Sequence, residues 1–400
     1  MTITQARDLD QRVLQHLAHL VAMPTESGTP NRGLIEWAAD HLDAFGASTA
    51  IIDGPAGRAN LLATLGPSVP GGLLLSGHTD VVAAGTGWAT EPYTVTINGR
   101  SVAGRGTADM KGFIACLLVA VEDTDRSALL APVHIALSYD EEVGCVGVRS
   151  LLARLAEHAA NSAVRPDLIV IGEPTMMRPR HAHLGKIAYR LVFTAQAGHS
   201  SLSPFLPSAI SSAAHVIAAL ETVAEPHLRT ATRDATGEAN AHVTVNVGSI
   251  NGGTALNVLA ERCEIAFELR HTTEFDPDAL LAPLWSVVDA EHELLGQVGG
   301  GVEIEEITRY PALATNTDNP WVRLVERTAD RGPSAPIGYG TEGGLFAAAL
   351  DAPVVICGPG DIAVAHRPDE YVSTDQLQAC LSFLTGLIEH ICVRPGIGER

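Results

Sequence analysis

"LLLSGHTDVV", residues 73–82, is an aliphatic run that breaks at Ser76-Gly77 and then presents His78 and Asp80 one residue apart. A near-continuous aliphatic run of this length fits a strand buried on both faces, as in a helix-covered α/β sheet. Three more runs have the same character, namely "HIALSYD" (134–140), "DLIVIGEP" (167–174) and "APVVICGPG" (352–360). Helical patterns separate them. "NRGLIEWAADHLDAFGAS" carries Leu34, Ile35, Ala38, Leu42 and Phe45 at helical spacing, with Gly46 placed to close it, and "DMKGFIACLLVAVED" reads as another covering helix.

The pattern changes in the middle of the chain. "KIAYRLVFTAQ", "AHVTVNVGSI" and "ERCEIAFELRH" alternate like half-exposed strands, "SAISSAAHVIAALETV" and "DPDALLAPLWSVVDAEHELL" read as helices, and "GVEIEEITRY" as a last strand. The order is β-α-β-β-α-β, the split ferredoxin-like unit. The expected architecture is therefore an α/β catalytic domain, a helix-covered mixed sheet from residues 1–183 plus 300–400, with an inserted ferredoxin-like α+β lid or dimerisation domain over 184–299. A chain of 400 residues suits two domains, since single cores stop growing at about 250–300 residues.

Composition narrows the function. Lys and Arg total 26 against 46 Asp and Glu, a net charge of -20. That balance opposes nucleic-acid binding, which needs a basic footprint, and docking on anionic lipid. It suits metal cations. The first twenty residues lack a basic stretch followed by an apolar one, so a secretory leader is not expected. No apolar run is expected to reach the roughly 18 residues of a membrane span. Cys116, Cys145, Cys263, Cys357, Cys380 and Cys392 are scattered without a CxxC pair, which reads as reduced thiols in a cytoplasmic protein.

Each buried run ends in a chemical group. His78 and Asp80 follow the first, Glu141 and Glu142 the second, Glu173 closes the third, and His366 comes shortly after the fourth. Asp109, in "GRGTADMKG", falls at the start of a helix. Ligands of open α/β sheets bind beyond the carboxyl ends of the strands, so these groups are placed to converge. Two histidines and several carboxylates suit zinc or another transition divalent cation. One Asp can bridge two cations, and Asp80 is spaced to hold the other ring nitrogen of His78. Of Glu141 and Glu142, one can ligate while the other takes a proton. Singly, each feature has a plainer reading: a structural histidine at a strand end, a helix N-cap at Asp109, a solvated Glu-Glu loop.

Read together, "LSGHTDVV", "GRGTADMKGFIA", "SYDEEVGCVG", "IGEPT" and "GPGDIAVAHRPDEYV" resemble the signature of the two-zinc aminoacylase and peptidase family, from His78 to Tyr371 and across the inserted domain. The resemblance implies two divalent metal ions, zinc foremost and cobalt as the alternative. It implies that His78, Asp109 and Glu173 hold one ion and that Asp109, Glu142 and His366 hold the other. Glu141 would be general base and then acid, and Asp80 would orient His78. "TAQAGHSS" resembles the family's lid motif, which implies that His199 stabilises the oxyanion across a homodimer interface built by the inserted domain. By the same similarity Asn257 and Arg270 are candidates for substrate contact, Arg270 as a fork for an α-carboxylate or as a surface salt bridge.

Within that family, "YGTEGGLF" and "GPGDIAVAHRPDEYV" look most like the acetylornithine deacetylases, which implies a small N-acylated amino acid as substrate, with Thr341 and Glu342 facing it. Glu342 would hold the ammonium of the side chain. The readings set beside this are a succinyl-diaminopimelate desuccinylase, a metallocarboxypeptidase or dipeptidase of the same family, and a non-catalytic binder on the same fold.

Overall fold

The computed structural model describes residues 9–160, 165–228, 232, 233, 239, 240 and 243–394. The chain divides into two compact units. One comprises Met1–Ala182, Ala314–Pro336 and Thr341–Arg400, and the other His183–Leu313 with Ile337–Gly340.

The aliphatic runs form the centre of the first unit's sheet. Its strand order begins Ser48–Asp53, Ala59–Leu65, Val133–Ser138, Leu73–His78, Leu168–Pro174, Val354–Gly358, and continues through short strands. Leu73–His78 runs parallel to both Val133–Ser138 and Leu168–Pro174, and Val354–Gly358 runs parallel to Leu168–Pro174. Every residue of these four strands is buried, which is why the sequence there is continuously apolar rather than alternating. Register pairs Leu73 with Val133 and His78 with Ser138. The strands therefore end level, and the polar residues that follow them emerge at one edge.

The helix Lys111–Glu122 is buried along its length except at Glu122. It packs against Gln11–Val21 and Thr374–Ile388 in one continuous core. Gly172 permits the close approach of this helix to the sheet: a Cβ there would lie 2.1 Å from the Phe113 ring. The segment Thr374–Val393 is long and apolar enough to cross a membrane by length and composition, which corrects the expectation that none would be. Leu377, Leu381, Phe383, Leu384 and Leu387 on it belong to the buried core, which accounts for its apolar character.

The second unit has a four-stranded antiparallel sheet ordered Val243–Gly252, Arg262–His271, Gly185–Thr194, Gly301–Tyr310, with helices Ala209–Leu228 and Pro277–Gly296. This is the expected β-α-β-β-α-β order. Burial alternates residue by residue along Arg262–His271, matching a sheet with one covered face. Of the expected strand starting at Ala241, the first two residues, Ala241 and His242, lie outside the described residues.

Candidate metal centre

The level strand ends of the first unit gather the predicted residues. His78 ends its strand, Glu173 stands next to last in its own, and Glu141 and Glu142 follow closely on Val133–Ser138. His366 sits in the loop after Val354–Gly358 with a left-handed backbone, φ 61°. Asp109 lies on the turn before Lys111–Glu122, followed by a cis peptide to Met110. Asp109 is not a helix cap: Met110 holds the cap position and no side chain caps it.

Asp109 is the centre. Its Oδ1 lies 3.1 Å from His78 Nε2 and its Oδ2 3.2 Å from His366 Nε2. His366 Nε2 is also 2.9 Å from Glu142 Oε1, and His78 Nε2 is 3.8 Å from Glu173 Oε1. The two carboxylate oxygens thus face different histidines, the arrangement a bridging ligand needs. Two sets can each hold an ion, His78 with Asp109 and Glu142, and His78 with Glu141 and Glu173. The second set brings Glu141 within ligand reach, beside the Glu173 that the sequence pattern marks as a ligand.

The electrostatics also ask for cations. Burial raises the Glu141 and Glu173 carboxyls well above the ordinary range, and neighbouring carboxylates raise them further. Burial and Asp109 raise Glu142 as well. Burial works against ionising Asp109, yet the hydrogen bonds from His366 and His78 hold it well below the usual range. Its hydrogen bonds to Asp109 and Glu142 lift His366 to about 10. Glu173 Oε1 is buried without a hydrogen-bond partner. An orphaned carboxylate oxygen among two imidazoles and three more carboxylates fits a divalent cation, whose charge reverses the repulsion. The donor set of imidazole nitrogen and carboxylate oxygen suits zinc or cobalt.

Asp80 works differently from the expectation. His78 Nδ1 shares a hydrogen bond with the main-chain oxygen of Asp80 at 2.9 Å, while the Asp80 carboxylate stands 3.6 Å away, beyond hydrogen-bond length. That carboxylate instead accepts from the Glu141 amide at 3.0 Å, the Glu142 amide at 3.3 Å and the Ser27 hydroxyl at 2.8 Å. It anchors the Glu141–Glu142 loop.

Thr341 and Glu342 are buried, at 0% and 1% exposure. The Thr341 hydroxyl accepts from the Gly343 amide, and burial pushes Glu342 up to about 7. Neither side chain is open to solvent, so the expected direct contact with substrate lacks an accessible surface here.

In the second unit, His199 is exposed and shares a hydrogen bond between Nδ1 and the Ser201 hydroxyl. Its short strand pairs with Val258–Leu259, and the Ser200 amide donates to the Asn257 carbonyl, so His199 and Asn257 share one corner. The Arg270 guanidinium is engaged by Glu268 at 2.9 Å, and Glu268 also binds Lys186. The pair is partly buried, with both side chains about a quarter exposed.

Sequence reasoning missed Glu370 and Arg105. Glu370 Oε1 accepts from the amides of Ala108 at 2.9 Å and Asp109 at 3.1 Å, and its Oε2 accepts from Arg105 Nη1 at 2.7 Å. Both side chains are buried. The only signal available was an Arg beside the metal-ligand motif, which a buried partner must neutralise.

A model of "Peptidase family M20/M25/M40" matches residues 74–390. The acetylornithine deacetylase of Proteus mirabilis is 35% identical over 388 residues, 94% of this chain and 95% of that one. Among solved structures, an M20 family metallo-carboxypeptidase from Sulfolobus solfataricus has a TM-score of 0.76 at 16% identity, covering 94% of this chain and 98% of the other. A tripeptidase from Staphylococcus aureus has a TM-score of 0.71 at 19% identity, covering 96% and 98%.

Proposed function

From the premise that the chain belongs to peptidase family M20/M25/M40, and so is a hydrolase of that family, we propose that it removes the acyl group from an N-acyl amino acid, foremost N-acetylornithine. The observation that carries the reading is the division of the two Asp109 oxygens between His78 and His366, with Glu141 half-buried within ligand reach of His78 and Glu173. Similarity to acetylornithine deacetylases over nearly the whole chain supports the substrate class.

His78, Asp109 and Glu173 would hold one divalent cation and Asp109, Glu142 and His366 the other. Zinc is the first choice and cobalt the second. Bound there, two cations supply Lewis acidity, which polarises the acyl carbonyl and lowers the pKa of water. Glu141 takes a proton from the attacking water on its carboxylate and later delivers it to the leaving amine nitrogen. Asp80 fixes the loop that aims Glu141, through the amides it accepts from. Glu370 holds the Asp109 main chain in place. His199 would donate to the developing oxyanion from a partner subunit in a homodimer, with Asn257 and Arg270 at the substrate. For Glu342, burial favours an effect on Glu141 over contact with the substrate ammonium.

The test is a substrate panel with zinc- and cobalt-loaded enzyme. Acetate release from N-acetylornithine should exceed turnover of N-succinyl-diaminopimelate and of dipeptides. Faster dipeptide cleavage would replace this reading with a peptidase. No turnover of any amide would remove the enzymatic reading.

A further inference from the structure

A second cluster of metal-competent side chains lies in the first unit outside the centre described above. His16 comes from the helix Gln11–Val21, His41 from Arg32–Ala44, and Glu122 ends Lys111–Glu122. Glu122 Oε1 stands 2.6 Å from His16 Nε2 and 2.9 Å from His41 Nε2. One ligand atom from each residue falls within 4.8 Å of the others. We propose that His16, His41 and Glu122 form a separate binding site for a zinc-class divalent cation, which ties three helices together.

Three observations point to a cation rather than to a plain hydrogen-bonded trio. His41 Nε2 is buried and, although close to the carboxylate, makes no hydrogen bond, so its nitrogen is near the oxygen without being aimed at it. The other Glu122 oxygen, Oε2, is occupied by Arg12 Nη1 at 3.0 Å, which leaves Oε1 directed at the two rings. Finally, Glu122 closes one helix and His41 lies in the last turn of another, and the carbonyl ends of helices favour positive charge.

Two imidazoles and a carboxylate with a fourth position left for water are a zinc-type donor set. Calcium and magnesium prefer all-oxygen shells. A tetrahedral zinc site spaces its ligand atoms by roughly 3.3 Å, given bond lengths of about 2.0–2.1 Å. Binding would therefore open the cluster by about half an ångström, which side-chain rotation supplies.

The full-length chain, stripped with a chelator and then equilibrated with micromolar zinc, should retain one equivalent more per chain than His16→Gln or Glu122→Gln by elemental analysis. Circular dichroism checks that each variant keeps its fold, and His41→Gln supplies the same subtraction if one of them does not. The comparison is a difference, so it holds whatever number of ions occupies the Asp109 centre. Cobalt gives a second readout, because Trp37 lies 5.9 Å from the His16 ring and 5.8 Å from the His41 ring. Cobalt should quench a fluorescence component that Trp37→Phe removes. Equal zinc content in wild type and folded variants would overturn the site and leave a hydrogen-bonded cluster.

Discussion

Glu370 lies 261 residues from Asp109 in sequence, yet its carboxylate accepts the Asp109 amide at 3.1 Å and the Ala108 amide at 2.9 Å. Its other oxygen binds Arg105, also buried. The proposed bridging ligand is thus held from behind by its main chain. Glu370→Ala should cost roughly 3–5 kcal/mol of stability, because it strands a buried guanidinium. Glu370→Gln keeps an acceptor for the amides but faces Arg105 with an amide. It should weaken metal binding by about 10–100-fold, as loss of an outer-shell partner does. Metal titration and denaturant melts on the two variants separate positioning from simple packing. Unchanged metal affinity in a folded Glu370→Gln would remove the positioning role.

Glu141 can be read as a base or, from its reach toward His78 and Glu173, as a ligand. Glu141→Ala should lower kcat by at least ~100-fold while leaving the metal content of the enzyme intact. Loss of one equivalent of metal in the same variant would assign Glu141 to the coordination shell instead. Elemental analysis beside steady-state kinetics gives the answer.

Glu342 is buried rather than presented to a ligand. Glu342→Gln should therefore reduce kcat/KM for N-acetylornithine and N-acetylmethionine by similar factors. A selective rise in KM for N-acetylornithine would restore the idea that Glu342 binds the substrate's side-chain ammonium. Parallel kinetics on the two substrates decide.

His134 sits in the central Val133–Ser138 strand, shares a 3.0 Å hydrogen bond with Thr64, and has a buried Nε2 without a partner. Burial lowers its pKa from 6.5 to about 4. The unfolded chain binds a proton there before the folded one does. Its contribution is fully present above about pH 7 and is lost as pH falls from 6.5 toward 4, by up to about 3 kcal/mol. His134→Gln should flatten that part of the stability profile in urea melts between about pH 4.5 and 7. An unchanged slope would place the acid sensitivity elsewhere.

The sheet and its helices were legible because burial on both faces leaves no alternation. Leu73–Leu75, Ile169–Ile171 and Val354–Ile356 carry that signal in their own side chains. The candidate ligands His78, Glu142, Glu173 and His366 were legible because each closes or follows such a run, and Asp109 because it stands at the start of a helix after a glycine-rich turn. Asp80 was legible only in part: its spacing from His78 is visible, but not that its main-chain oxygen, rather than its carboxylate, meets the ring. The burial of Thr341 and Glu342 was hidden, because a glycine-rich loop reads as exposed. Arg105 and Glu370 meet only through the fold, and neither carries a periodic signal. The helix Gln11–Val21 went unread although its buried positions, Val13, Leu14, Leu17, Leu20 and Val21, follow helical spacing.

The first unit is assembled from separated stretches of chain. Its Val354–Gly358 strand lies beside Leu168–Pro174, and Cys392 Sγ meets the Pro132 carbonyl across 260 residues. The second unit's four-stranded sheet, by contrast, is complete once Tyr310 has been made. During synthesis on the ribosome the later-starting unit can close first, while the earlier half of the other waits with an unfinished sheet edge. The interval before Val354 emerges is therefore when this chain is most exposed to aggregation and most dependent on chaperones.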